Sequence, residues 1–291
     1  MFTRLHSKLI IALAFLLPGA AAAVAQALVS RTDSAWSYVN RGNDWYLRGE
    51  FERAISDYNL AISLDPQLAW AYLNRAIVGA AKGDREMALA DCNRALKLDA
   101  RLAAGWSLRG QLRRFQGDLA GALADGDRAL ALDPRDARAW NNRGNARHDL
   151  GDLDGALSDY NQSLKLDRRL ASTWCNRGFY RQQKGDLRGA LSDYDRALKL
   201  NPRLAEAWNN RASARLKTGD LAGALTDCHQ AIALDPRMAV AWIIRGLARW
   251  RLGQRAEAER DFAQGIVLNP NLKSQVESDL KQLSSALAAK Q

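Results

Sequence analysis

The sequence predicts an all-α protein, a solenoid of seven helical hairpins closed by a C-terminal helix, on three observations. A glycine recurs every 34 residues, at Gly49, Gly83, Gly117, Gly151, Gly185, Gly219 and Gly253. Small residues keep the same period at two more registers, Gly42, Ala76, Gly110, Gly144, Gly178, Ala212 and Gly246, and Ala54, Ala88, Ala122, Ala156, Ala190, Ala224 and Ala258. The prolines beyond the N-terminal segment share a fourth register, Pro66, Pro134, Pro202, Pro236 and Pro270, with Ala100 and Arg168 in the remaining two places. A fixed period of this length marks a chain built from one supersecondary unit that must stack on its neighbours to bury its apolar face.

The chain opens with a segment of different character. Arg4 and Lys8 precede the apolar run "LIIALAFLL", Pro18-Gly19 interrupts it, and "AAAAVAQA" offers cleavage after Ala25 or Ala27. Residues 1–27 are therefore expected to be a secretory signal peptide of bacterial type, and 28–34 a short linker. The product is expected to be periplasmic or secreted. Left uncleaved, the uncharged stretch 9–30 is long enough to anchor the chain in the inner membrane. Seven units then fill 35–270, starting at 35, 69, 103, 137, 171, 205 and 239, and the polar, amphipathic segment 271–291 is expected to close the stack.

Within a unit each register has a physical reason. The two small-residue registers let a pair of helices approach closely. The recurring glycine ends the first helix in a left-handed turn, and the acid that follows it, Asp152 for example, caps the second helix. "L-x-L-D-P" ends the second helix, because proline cannot continue it and holds the preceding residue extended. An aromatic stands four residues before the first small residue throughout, at Tyr38, Tyr72, Trp106, Trp140, Trp174, Trp208 and Trp242.

With its 34-residue period and these aromatic and small positions, the chain resembles the tetratricopeptide repeat family over most of its length. The resemblance implies a right-handed superhelix whose concave groove, lined by first helices, binds a peptide or protein segment without catalysis. It places Asn40, Asn74, Asn142, Asn176 and Asn210 in that groove, where amides can hold a peptide backbone. It adds Asn141, Asn145 and His148 in the fourth repeat, Phe179 and Gln182 in the fifth, and Asn209 and Ser213 in the sixth. The family's lysine clamp for a terminal carboxylate is missing, since Val39, Leu73, Ser107, Asn141, Cys175, Asn209 and Ile243 occupy its main register. Cys175 is expected to face the groove and to be the most reactive of three unpaired thiols.

One register departs from the family pattern. Arginine occupies it seven times, Arg41, Arg75, Arg109, Arg143, Arg177, Arg211 and Arg245, and aspartate follows sixteen residues later each time, from Asp57 to Asp261. Antiparallel helices bring such positions together, so a bidentate pair is expected to fix the hairpin register. A second arginine follows one turn later in five repeats, Arg113, Arg147, Arg181, Arg215 and Arg249, and is expected to snorkel over apolar surface or to meet C-terminal carbonyls. Glu257 is a candidate partner for Arg249.

Nothing in the chain points to an enzyme. His148 and His229 have no paired ligand spacing, so no metal site is expected, and no phosphate-binding or nucleophile motif occurs. No cofactor is implied. The composition, 25% charged with a formal charge of +10, leaves two readings. One is an exported adaptor with a peptide or protein partner; the other is an envelope structural protein that meets an anionic polymer through surplus arginine. Export argues against nucleic acid. Oligomeric state is not legible.

Overall fold

A computed structural model describes residues 20–288, and among them the secondary structure is entirely helical. The chain divides into two compact units, Met1–Ala146 and Arg147–Gln291. In the first lie α1 (Ala20–Leu47), α2 (Phe51–Leu64), α3 (Ala69–Lys82), α4 (Arg85–Leu98), α5 (Ala103–Phe115) and α6 (Leu119–Leu132). The division falls inside α7 (Ala137–Asp149). The second holds α8 (Leu153–Leu166), α9 (Ala171–Gln183), α10 (Leu187–Leu200), α11 (Ala205–Thr218), α12 (Leu221–Leu234), α13 (Ala239–Arg251) and α14 (Arg255–Leu268). A 3₁₀ turn, Pro270–Leu272, leads into α15 (Lys273–Ala288). Most of the expected signal segment lies outside the described residues. The stretch 28–34, expected as a linker, is helical and continues α1 without a break. No helix of the described residues is long and apolar enough to cross a membrane.

The hairpin turns follow from the recurring residues. The seven periodic glycines are the residues with positive φ, from +77° at Gly49 to +87° at Gly219. After five of them an aspartate caps the second helix, as Asp220 does by accepting from the Gly223 N–H at 2.9 Å. Glu50 and Gln254 stand at the other two described N-caps without a side-chain bond, so there the turn depends on backbone alone.

The second helices end in a turn held by a device the proline pattern concealed. The residue after the last leucine, Asp65, Asp99, Asp133, Asp167, Asn201, Asp235 or Asn269, is extended and accepts the N–H two residues on. Such a side-chain turn works with or without proline. It persists where Ala100 and Arg168 replace proline. There the indoles of Trp106 and Trp174 donate to the carbonyls of those same residues, each at 2.9 Å.

Packing explains the choice between glycine and alanine in the first helices. Tyr194 lies against Gly178 and Phe262 against Gly246, so close that a Cβ on either glycine would sit 2.8 Å or 2.5 Å from a ring carbon. Where the second helix carries the smaller Cys92 or Cys228 at that register, the first carries Ala76 or Ala212, fully buried. Ring plus glycine and thiol plus alanine fill similar space. At the C-terminal end, Val276 joins Ile243, Ala258 and Phe262 in one core, with Leu272 and Leu280 packed against it. Thus α15 covers the apolar face of the last hairpin.

Gly178→Ala alone is expected to cost about 1–3 kcal/mol through overpacking. Tyr194→Cys should cost clearly less in the Gly178→Ala background than in the native one. Urea unfolding of the four proteins measures this coupling; additive costs would show that the two sites fill space independently.

Candidate functional site

The recurrent arginines of the first helices are held by aspartate, by an aromatic ring and, in five repeats, by the preceding second helix. Six Arg–Asp pairs lie within one unit and all six form. In the sixth repeat Arg211 Nε and Nη2 donate to the two oxygens of Asp227 at 2.9 and 2.7 Å, and in the third Arg109 meets Asp125 at 2.8 and 2.7 Å. The third nitrogen reaches back to the preceding second helix, as Arg109 Nη1 does to Asn93 and Arg211 Nη1 to Asp195. The guanidinium also lies over the aromatic three residues earlier, at 4.5–5.7 Å from the ring centroid in all seven repeats. Bonding to the aspartate holds Arg75 and Arg109 above the ordinary arginine pKa despite partial burial.

The second arginines behave differently from expectation. They do not meet helix C-termini; each forms an ion pair with the buried aspartate of the second helix. Arg113 lies 3.1 Å from Asp125, Arg147 3.0 Å from Asp159, Arg181 3.0 Å from Asp193, Arg215 2.8 Å from Asp227 and Arg249 2.7 Å from Asp261. Four of them also reach a carbonyl in the first turn of the second helix, such as Arg215 to Gly223 at 3.3 Å. In the first repeat the Trp45 indole takes this place, donating to Asp57 at 3.1 Å. Glu257 pairs with Arg260, so it is not the partner of Arg249. Two cations on one carboxylate satisfy a charge that burial alone would make costly.

The residues assigned to ligand binding lie along the first helices. In unit 1, Asn40 is exposed, and Asn74 donates to Asn43 at 2.9 Å, which also accepts from the Tyr58 hydroxyl. Asn142 donates to Ser107 at 3.1 Å and accepts from Asn141, while Asn145 is half-buried. In unit 2, His148 bonds Gln183 at 3.0 Å and its ring lies 5.6 Å from that of Phe179. Gln182 bridges Ser213 and Tyr194, each at 3.1 Å. Asn210 donates to Cys175 at 3.7 Å and accepts from Asn209, and Asn176 is half-buried. One amide N–H of Asn74, Asn142 and Asn210 fastens the helix to the preceding first helix.

Three expectations need correction. Asn141, with 7% exposure, and Gln182 are buried between helices and do not line an open surface. Cys175 does not present a reactive thiol: it is 5% exposed, and burial pushes it up to about 12, as it does Cys92 and Cys228. These three side chains are core rather than groove lining.

A cavity of 360 Å³ opens in unit 1, lined by Trp36, Val39, Asn43, Tyr46, Trp70, Asn74 and Ile77. Trp70 is 43% exposed. This part of the face was missed. Its signal is tryptophan at the second position of the first two repeats, where later repeats carry Ala104, Arg138, Ser172, Glu206 and Val240. Apolar walls with two convergent amides suit a side chain entering beside its own backbone.

The geometry agrees with the comparisons. Family models described as tetratricopeptide repeat match residues 137–170 and 177–239, and one described as TPR repeat matches 42–83 and 110–151. Together they take in more than half of the chain, which belongs to the tetratricopeptide repeat family. That family's fold serves protein–protein interaction as a scaffold, and its members are generally not enzymes. Solved structures with a similar fold include a tetratricopeptide repeat protein from Parabacteroides merdae, with TM-score 0.60 and 18% identity over 86% of this chain and 98% of that one. Another is pilF of Pseudomonas aeruginosa, with TM-score 0.59 and 21% identity over 71% and 94%. A third is a chain of the APC/C Cut9–Hcn1 heterotetramer, with TM-score 0.68 and 20% identity over 74% of this chain. This chain spans only 42% of the length of that last structure. No curated protein matches the sequence.

All three thiols are expected to resist a thiol reagent at about pH 8 in the folded protein and to react together in urea. Mass spectrometry of alkylated peptides checks this; rapid labelling of Cys175 under native conditions would contradict its burial.

Proposed function

We propose that the first-helix face binds an extended segment of a partner protein, seated in unit 1 by an apolar side chain in the Trp36–Trp70 cavity. The observation that carries this reading is that cavity, with Asn43 and Asn74 beside its apolar walls. Asn40, exposed on the helix that carries Trp36, supplies a backbone contact beside the cavity, a form of recognition that tolerates varied sequence. Unit 2 by itself presents a separate apolar contact for a protein segment, the exposed Phe179 beside the His148 ring. The face is poor in charge, so the bound segment is one whose affinity comes from an apolar anchor and main-chain bonds.

The anionic-polymer reading has less behind it. Its motive was a set of surplus arginines, and these are engaged by Asp125, Asp159, Asp193, Asp227 and Asp261. We place the scaffold in the bacterial envelope, periplasmic or secreted after cleavage, or held to the inner membrane by an uncleaved leader. The basic start, short apolar run and alanine-rich site support that placement.

A photo-crosslinking residue replacing Trp70 in the full chain, expressed in the native host, tests both parts. The expected product is a protein adduct in the envelope fraction, on a chain beginning at residue 26 or 28, or with the leader intact. Trp70→Ala should weaken capture of that partner about tenfold or more, in line with loss of a buried aromatic anchor. No adduct at Trp70, with adducts from a surface control such as Arg101, would overturn the assignment of this face.

A further inference from the structure

Unit 2 contains a second cavity, of 450 Å³, lined from α8, α9 and α10 and the turn between α8 and α9. Leu164 and the Trp174 indole form its apolar part, and Lys165, Arg168 and Arg196 stand around it. Arg177 also borders it, but all three of its donating nitrogens are committed, two to Asp193 and one to Asn161 at 2.8 Å. Lys165, Arg168 and Arg196 are exposed, and among the described residues none has a carboxylate within ion-pair distance. The nearby acids are engaged elsewhere. Asp193 is shared by Arg177 and Arg181, Asp195 meets Arg211 at 2.6 Å, and Asp167 meets Arg169 at 3.3 Å.

The corresponding registers of other repeats do not repeat this charge. One repeat earlier they read Asp127, Ala131, Pro134 and Gln162, and one repeat later Asp195, Lys199, Pro202 and Gln230. Two repeats earlier they read Asn93, Lys97, Ala100 and Arg128, one cation fewer. The feature that sets the site apart is Arg168 in the place of proline. Its carbonyl is fixed by the Trp174 indole, which ties the turn carrying the arginine to the aromatic wall.

We propose that this notch binds a compact phosphate-bearing anion of at least two negative charges, free or carried as a diphosphate group on a small molecule. Three cations without partners around one concavity make a field that a multivalent anion neutralises in a single step, and guanidinium forks match phosphoryl oxygens. The cavity exceeds what pyrophosphate fills, which leaves Leu164 and Trp174 to receive an organic portion.

Isothermal titration of the full chain with pyrophosphate, and separately with ADP, at about 20 mM salt tests the site. One equivalent is expected to bind, with affinity falling as salt rises to about 300 mM. Tighter binding of ADP would identify an organic portion on Trp174; equal binding would identify the phosphoryl group alone. Arg168→Pro restores the residue found at this register in five repeats, and Asp167 already has the extended backbone (φ −141°, ψ 104°) that precedes those prolines. This variant and Arg196→Gln should each weaken binding about tenfold, the cost of one charge-assisted contact. Lys97→Gln, at the corresponding register in unit 1, should leave it unchanged. Absence of saturable binding by both probes, or native affinity in a folded Arg168→Pro protein, would overturn the proposal.

Discussion

A buried aspartate answered by arginine organises the hairpins of this protein. The second helix brings the carboxylate into the interior, where an unpaired charge would be costly, and the first helix answers with an arginine fork. In most repeats a second arginine or an indole takes the remaining lone pairs. The same fork reaches back to the preceding second helix and lies over an aromatic ring. One guanidinium therefore joins helix to helix within a hairpin and hairpin to hairpin along a unit. Its contribution is best understood as register and orientation, since desolvation offsets much of the Coulomb gain.

That arrangement decides which surfaces remain for recognition. With the arginines committed, the first-helix face is left with amides, aromatic rings and few charges, suited to a protein segment held by backbone and an apolar anchor. The second-helix side is different. Where the neutral Asn161 and the non-proline Arg168 coincide, three exposed cations gather around Trp174.

The sequence made the hairpins legible because their registers are determined by local constraints. Positive φ demands glycine, a helix start demands a cap, and an Arg and Asp sixteen residues apart face each other across a tight turn. The second arginines were misjudged because a carboxylate accepts from two donors, and spacing to one partner hides the other. The i,i+3 stacking of arginine on Tyr or Trp was present in the sequence at all seven repeats yet passed unread as separate registers. Cys175, Asn141 and Gln182 were placed on an open face because period alone does not separate a groove wall from the seam between neighbouring first helices. The Trp36–Trp70 cavity departs from the repeat, so a reading built on what recurs passed over it.

Comparison of Asp227→Ala with Asp220→Ala in urea unfolding tests the central claim most directly. Asp220 is an exposed helix cap that also lies 3.4 Å from Arg215, and its loss is expected to cost about 1 kcal/mol. Asp227 is fully buried between Arg211 and Arg215, and its loss removes the carboxylate the two share and leaves them only the exposed Asp195 and Asp220, with an expected cost of about 3–5 kcal/mol. The account predicts that clear separation. Equal costs for the two variants would contradict it, showing that the buried carboxylate is no more than a surface charge in effect.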